Sequence, residues 1–148
     1  MPPPGGWRRW GLRFQRLRRA PTPVSCTAAS VILVDTSVWI RHFAAMEPRL
    51  AGLLEDGQVV VHPFVIGELA CGTLRKRQEV LALLDRLDSA PVASDEETRR
   101  LIELRRLMGR GLGWVDAHLL ASCLLAGVQL WSLDRRLVRV AEMLQLSA

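Results

Sequence analysis

The sequence predicts an α/β protein whose mainly parallel sheet is covered by helices on both faces. Short apolar runs alternate along the chain with longer segments whose apolar residues recur at helical spacing. One long segment, Trp114–Ala126, is apolar nearly all round, which is typical of a central buried helix. The chain has 148 residues, of which 49% are hydrophobic, and this combination fits one globular domain.

The individual elements follow from local signals. Strands are predicted where short apolar runs occur, rich in residues that favour extended backbone: Val31–Val34, Gln58–His62, Pro91–Ala93 and Gln129–Ser132. Helices are predicted between them: Thr36–Phe43, Pro48–Glu55, Pro63 to about Leu74, Glu79–Leu87, a helix after Ser94, Trp114–Ala126 and Asp134–Leu144.

Boundary residues support this division. Gly57 is placed to end the second helix, and Pro63 suits the first turn of the third. The sequence Ser94–Glu97 has the form of a capping box, so we expect a helix there with Leu101, Leu104 and Met108 on one face. The segment Gly109–Gly113 is rich in glycine and is predicted to be a loop.

The charge of the chain is concentrated at its beginning. The formal net charge is +5, but residues 1–29 hold six arginines and no acidic residue, so the remainder is close to neutral. We expect residues 1–30 to be a disordered basic extension and residues 31–148 to be the folded domain. The extension loosely resembles an organelle transit peptide, but it is poor in serine; a start site assigned upstream of Val31 is the favoured interpretation.

Composition excludes several classes of protein. No apolar run approaches the roughly 18 residues that a membrane span requires. The three cysteines, Cys26, Cys71 and Cys123, are far apart and form no C-x-x-C pair, which argues against a disulfide scaffold and a thiolate zinc site. A reducing, cytoplasmic environment fits this cysteine usage best.

Four acidic residues occupy unusual positions. Asp35 and Asp134 follow predicted strands, Asp116 opens the predicted buried helix, and Glu68 lies in an otherwise apolar segment. Because ligands bind beyond the carboxyl ends of parallel strands, we expect these side chains to approach one another. A hard cation relieves the repulsion between converging carboxylates, and oxygen ligands select Mg²⁺ or Mn²⁺ over zinc. Such a site predicts metal-dependent hydrolysis of phosphodiester bonds.

Each acid also has a structural interpretation. Asp35 and Asp134 are suited to cap the helices that follow them, and Asp116 to complement a helix dipole. Glu68 would form a buried pair with an arginine. A metal-dependent phosphatase of the aspartyl-phosphate type is less favoured, because Ser37 stands where that chemistry needs a second aspartate.

Four segments together resemble the motifs of PIN-domain ribonucleases, especially the VapC-type toxins of bacterial toxin–antitoxin pairs. They occur in the expected order, each with its acidic residue: Val34–Ile40, Pro63–Leu69, Gly113–Ala121 and Leu130–Leu137. The resemblance implies a Rossmann-like three-layer α/β/α sandwich with a central, mainly parallel sheet. It also implies a Mg²⁺-dependent endoribonuclease, with Mn²⁺ as a substitute, that acts on RNA.

The same resemblance assigns roles to residues. Asp35 and Asp116 are the firmest metal ligands, and Glu68 and Asp134 are the other acidic members. Thr36, Ser37 and Ser132 are expected to form hydrogen bonds around the first aspartate or a scissile phosphate. A cognate antitoxin and a second copy of the chain are the expected partners. A catalytically silent RNA- or protein-binding module is the alternative, and the presence of all four acids argues against it.

Overall fold

The computed structural model describes residues 30–148. Over this range the chain forms a parallel sheet whose strands are β1 (Ile32–Val34), β2 (Val59–Val60) and β3 (Gln129–Trp131). The strand order is β2-β1-β3, so the first strand of the sequence is the central one. Residues 1–29 of the predicted basic extension lie outside this range.

Helices flank the sheet. Their bounds are α1 (Thr36–Ala44), α2 (Pro48–Glu55), α3 (Pro63–Cys71), α4 (Arg77–Leu84), α5 (Asp95–Arg105), α6 (Trp114–Ala126) and α7 (Arg135–Met143). Residues 117–125 of α6 are all buried, and so is every residue of β1. The predicted three-layer α/β/α fold around a parallel sheet is confirmed. Between residues 30 and 148 no helix has the length and hydropathy needed to cross a membrane.

The predicted helix signals act as expected. Gly57 adopts a left-handed conformation with φ of +65° after the end of α2. The capping box before α5 is formed in both directions, because the hydroxyl of Ser94 accepts from the N–H of Glu97 and the Glu97 carboxylate accepts from the N–H of Ser94. His62, just before Pro63, caps α3 through a ring nitrogen that accepts from the N–H of Phe64.

The predicted strand at Pro91–Ala93 is wrong. The chain instead pairs earlier, where Ser89 forms an isolated parallel bridge with Val61. The N–H of Val61 donates to Asp88 and the N–H of Ala90 donates back to Val61. Pairing stops before Pro91 because proline has no N–H to donate to a ladder.

The predicted apolar face of α5 is also only partly correct. Leu101 is fully buried, but Leu104 and Met108 are exposed. The helix ends at Arg105, and Arg106 takes a left-handed conformation with φ of +52°. The chain therefore changes direction before Met108. Helical spacing from Leu101 no longer determines whether the Met108 side chain faces the core or the solvent.

Candidate active site

Asp35 and Ser132 are neighbours because β1 and β3 are paired in parallel. The ladder continues one residue beyond the strands, where the N–H of Asp35 donates to the carbonyl of Trp131 at 2.9 Å. The hydroxyl of Ser132 donates to Oδ2 of Asp35 at 2.7 Å. The carboxyl ends of two adjacent strands thus deliver both side chains to one edge of the sheet.

Hydroxyl groups hold the Asp35 carboxylate in place. The residue is 6% exposed, and Oδ2 also accepts from the hydroxyl of Ser37 at 2.6 Å and from its N–H at 3.4 Å. Asp35 therefore caps α1, as one interpretation of the sequence predicts. These hydrogen bonds all use Oδ2 of Asp35, so capping does not occupy Oδ1, which can also bind a ligand.

Asp134 caps the last helix. Its Oδ1 accepts from the N–H groups of Arg136 at 2.7 Å and Leu137 at 3.3 Å, while the carboxylate stays exposed. The N–H of Asp134 donates to the hydroxyl of Ser132 at 3.0 Å. Because that hydroxyl also binds Asp35, one serine fixes the turn after β3 relative to the first acid.

Asp116 couples the acidic residues to one another. It lies in the first turn of α6, half-buried, and its Oδ2 accepts from the N–H of Gly113 at 2.8 Å. Burial raises the pKa of Asp116, the N–H of Gly113 opposes this, and three neighbouring negative charges raise the pKa further: Asp35, Asp134 and Glu68. Asp116 therefore lies within range of repulsion by acids from three other segments. The structure brings together all of the predicted acidic site residues.

The alternative interpretation of Glu68, a buried carboxylate paired with an arginine, does not hold. Val65 and Leu69 form the buried stripe of α3, whereas Glu68 lies about 100° around the helix from Leu69 and is exposed. Its Oε2 accepts from the hydroxyl of Thr36 at 2.5 Å. Thr36 therefore orients Glu68 rather than Asp35. Ser37 and Ser132 do bind Asp35, as predicted.

The four carboxylates do not form a closed ligand cage. Across residues 30–148, no group of three or more His, Cys, Asp or Glu side chains is gathered tightly enough to enclose an ion. The donor set is nevertheless all oxygen, and three neighbouring negative charges raise the pKa of Asp116. These properties fit a hard divalent cation that keeps part of its water shell, since Mg²⁺ in proteins commonly uses only one or two carboxylates.

Sequence reasoning missed two contacts in the site. In the first contact, the N–H of Gly113 donates to the carboxylate of Asp116. The sequence contains a signal for it, because an acidic residue three positions after a helix-capping residue commonly accepts from the N–H of that residue. The contact between Thr36 and Glu68 joins residues 32 positions apart, so only the docking of α1 against α3 reveals it.

Comparison with known proteins decides the family. The chain matches the PIN domain over residues 32–143. The chain belongs to the PIN-domain family. It is also 52% identical over 108 residues to proteins named Ribonuclease VapC32 from two strains of Mycobacterium tuberculosis, CDC 1551/Oshkosh and H37Rv. Each match covers 72% of this chain and 87% of the relative.

The predicted relationship to PIN-domain proteins of the VapC type is thereby confirmed. The PIN domain match begins at Ile32, the first residue of β1, and ends at Met143, the last residue of α7. It therefore contains all four acids and the hydroxyl groups that orient them.

Proposed function

We propose that this PIN-domain protein is a metal-dependent endoribonuclease that hydrolyses phosphodiester bonds in RNA and acts as the toxin of a toxin–antitoxin pair. The observation that carries the proposal is the convergence of Asp35, Glu68, Asp116 and Asp134, from four separate segments, at the carboxyl edge of the sheet. The name of the relatives supports the same reaction. A silent binding module is not favoured, because a module without chemistry has no need of three negative charges close to Asp116.

We propose Mg²⁺ as the ion, with Mn²⁺ as a substitute. Asp35 and Asp116 would hold it directly, and Glu68 and Asp134 would hold its water ligands. When bound, the cation supplies an activated water molecule and stabilises negative charge on the phosphate.

The chain's own groups hold these acids in position. The Ser37 and Ser132 hydroxyls fix Asp35, and the Gly113 N–H fixes Asp116. The hydroxyl of Thr36 orients Glu68. A fixed set of carboxylates requires little reorganisation when metal and RNA bind, which is the source of most electrostatic catalysis.

We further propose that the antitoxin covers a groove beside Glu68. The groove has a volume of about 710 Å³ and lies between α1 and α4, with Leu69 of α3 at its base. Three large side chains in it are exposed to 36–61%: Ile40, Phe43 and Leu83. Arg75 lines the same groove, and so do Lys76 and Glu79, whose charged groups pair at 3.5 Å. The groove therefore keeps one positive charge, which suits an apolar segment that also carries an acidic residue.

The apolar residues at helical spacing in and just after α4 contribute little to this surface. Leu84 is buried, and Val80 and Leu87 are half-buried against the core, so only Leu83 is well exposed. We retain the homodimer and the cytoplasmic location as proposals. Support for the location comes from Cys71, which is exposed and pairs with no other cysteine within residues 30–148.

The test is cleavage of RNA by the purified chain in Mg²⁺ or Mn²⁺, with EDTA as the control. We expect cleavage that EDTA abolishes and that Asp116→Asn removes. Expression alone should slow growth, and co-expression with a neighbouring antitoxin gene should restore it. An intact chain that cleaves no RNA in either metal would overturn the proposed function.

A further inference from the structure

A second concave site lies beside the acidic residues. It has a volume of about 190 Å³ and is formed by the end of α5, the loop that follows and the first turn of α6. Ile102, Leu107 and Met108 supply apolar walls, glycine backbone lines the loop side, and the indole of Trp114 completes it. We call it the loop pocket. A small, mostly apolar cavity bordered by glycine backbone suits one flat, polar-edged ring.

Trp114 packs against the buried ring of His118 while remaining accessible to solvent. It is 45% exposed, and Met108 across the loop is 60% exposed. The indole stands edge-on to the imidazole of His118 with ring centroids 4.5 Å apart. His118 is itself buried, stacks edge-on against Phe64 at 4.8 Å and contacts the hydroxyl of Thr98. The orientation of Trp114 is therefore fixed without its ring being covered.

Positive charge borders the loop pocket. The Nε of Arg110 donates to the carbonyl of Arg106 at 3.1 Å, which holds this exposed side chain beside the loop. The side chain of Arg136 lies against Gly111, so closely that a Cβ there would be 3.0 Å from its Cδ. Gly111 has φ of +76°, a conformation that glycine adopts without strain. Cations beside an aromatic ring are the combination that single-stranded nucleic acids require.

The loop pocket adjoins the acidic site through shared backbone. Gly113 lines the pocket, and its N–H is the donor to the Asp116 carboxylate. Ala117, which follows Asp116, lines the pocket as well. A nucleotide seated there lies next to the carboxylates.

We propose that the loop pocket binds one unstacked base of the RNA substrate, stacked on Trp114, and that it contributes to the choice of cleavage site. The inference rests on the proposed ribonuclease function. Peptide N–H and C=O groups of the glycine loop face the edge of the base, and Arg110 and Arg136 face neighbouring phosphates. Single-stranded RNA is recognised in this way, by bases splayed onto aromatic side chains.

The test compares Trp114→Ala, Trp114→Phe and wild type on a pool of random single-stranded oligoribonucleotides, with the cleaved ends sequenced. Stacking of one base contributes about 1–3 kcal/mol, so Trp114→Ala should raise KM about ten-fold and flatten base preference at one position beside the cut. The kcat at saturating RNA should change much less. Trp114→Phe should retain most of the preference.

A matched pair of methionine variants separates pocket effects from general ones. Met108→Ala, in the pocket, should weaken the same base preference. Met143→Ala, which removes a side chain 46% exposed at the end of α7, should not. If Trp114→Ala melts far below wild type, the Phe variant and the methionine pair decide the question.

Two results would overturn the inference. One is wild-type KM and base preference in Trp114→Ala and Met108→Ala. The other is a changed oligomeric state on sedimentation with unchanged KM, which would make the loop pocket a protein interface. In both cases wild type still cleaves RNA, so the proposed function stands. If the proposed function is wrong, wild type itself cleaves no RNA.

Discussion

Helix α6 carries polar groups of two opposite kinds. Asp116, in its first turn, belongs to the acidic cluster, which also contains Asp35, Glu68 and Asp134. Further along lies a histidine cluster, in which His118 and Ser122 of α6 meet His62 and Thr98. The acidic cluster is partly open to solvent, whereas all four members of the histidine cluster are buried.

The histidine cluster is hydrogen-bonded around His62 and Ser122. The hydroxyl of Ser122 lies 3.0 Å from Nε2 of His62 and accepts from the N–H of Ala93 at 3.2 Å. Because Nδ1 of His62 accepts from the N–H of Phe64, the ring proton resides on Nε2. Burial, followed by the nearby His118, lowers the pKa of His62 to about 4. These groups stabilise the fold, as expected of bonded buried polar groups.

The acidic cluster combines hydrogen bonds with charge repulsion. Its charges are oriented by hydroxyl and peptide donors but repel one another at Asp116. Such an arrangement costs stability and is retained where a cation or substrate will bind. The contrast teaches that hydrogen bonds alone do not distinguish structural from functional polar groups in this protein. Exposure to solvent does: the acidic cluster is partly open, whereas the histidine cluster is buried.

The largest expected effect is that of Asp116→Asn on activity. Cleavage in Mg²⁺ should fall by roughly 100-fold to 1,000-fold or more, because one fixed charge at the metal and phosphate is lost. In EDTA at pH 7 the variant should be as stable as wild type or more so, since the raised pKa of Asp116 means that its charged form is penalised in the fold.

That stability difference should vanish as the pH falls below 3.8, the ordinary pKa of the group, where Asp116 is protonated in both states. Asp35→Asn should lose activity similarly, and the double variant little more. Near-wild-type cleavage by Asp116→Asn would contradict its role in the acidic cluster.

His62 should make the fold sensitive to acid. Its pKa falls from 6.5 to about 4 on folding, so its contribution to stability is complete above pH 6.5. As the pH falls from 6.5 towards 4, only the unfolded chain takes up this proton, and about 3 kcal/mol is lost. His62→Asn, whose side chain can still cap α3, should show a shallower decline in stability across this range.

Urea unfolding at several pH values measures this effect. Val140→Ala removes buried apolar atoms without removing a titratable group, so it should lower the whole curve and keep the wild-type slope. Equal slopes for wild type and His62→Asn would contradict the neutral, buried state of His62.

A smaller effect is expected at Glu68, which acts through the water ligands of the ion in the proposed site. Glu68→Gln should weaken apparent Mg²⁺ affinity about 10-fold to 100-fold, the usual effect of an outer ligand. Glu103→Gln serves as the control, because Glu103 is an exposed acid paired with Arg100 on α5. Mg²⁺ titration of the cleavage rate measures both. Equal affinities for the two variants would remove Glu68 from the site.

The smallest effect is expected where polar groups serve the fold alone. Ser94→Ala removes half of the capping box of α5 and should cost about 1 kcal/mol of stability. Cleavage by the folded variant should be unchanged. A loss of activity larger than the loss of folded protein would show that α5 also controls the loop pocket.

The sequence by itself determined the fold class, most helix boundaries and the identity of the four acids. These features depend on local physics: the spacing of apolar residues, the capping chemistry of Ser94 and Gly57, and the position of Asp35 directly after a buried strand. Parallel pairing of β1 and β3 then places Asp35 and Asp134 at one edge with little further choice.

Only the tertiary structure decided how exposed each group is and which partner it has. Glu68 is exposed because α3 docks through Val65 and Leu69, and it meets Thr36 because α1 packs beside α3. Pairing at Ser89 rather than Pro91–Ala93, and the edge-on support of Trp114 by His118, likewise depend on residues distant in the chain. Such contacts follow from how whole helices and strands pack, and no local spacing in the sequence encodes them.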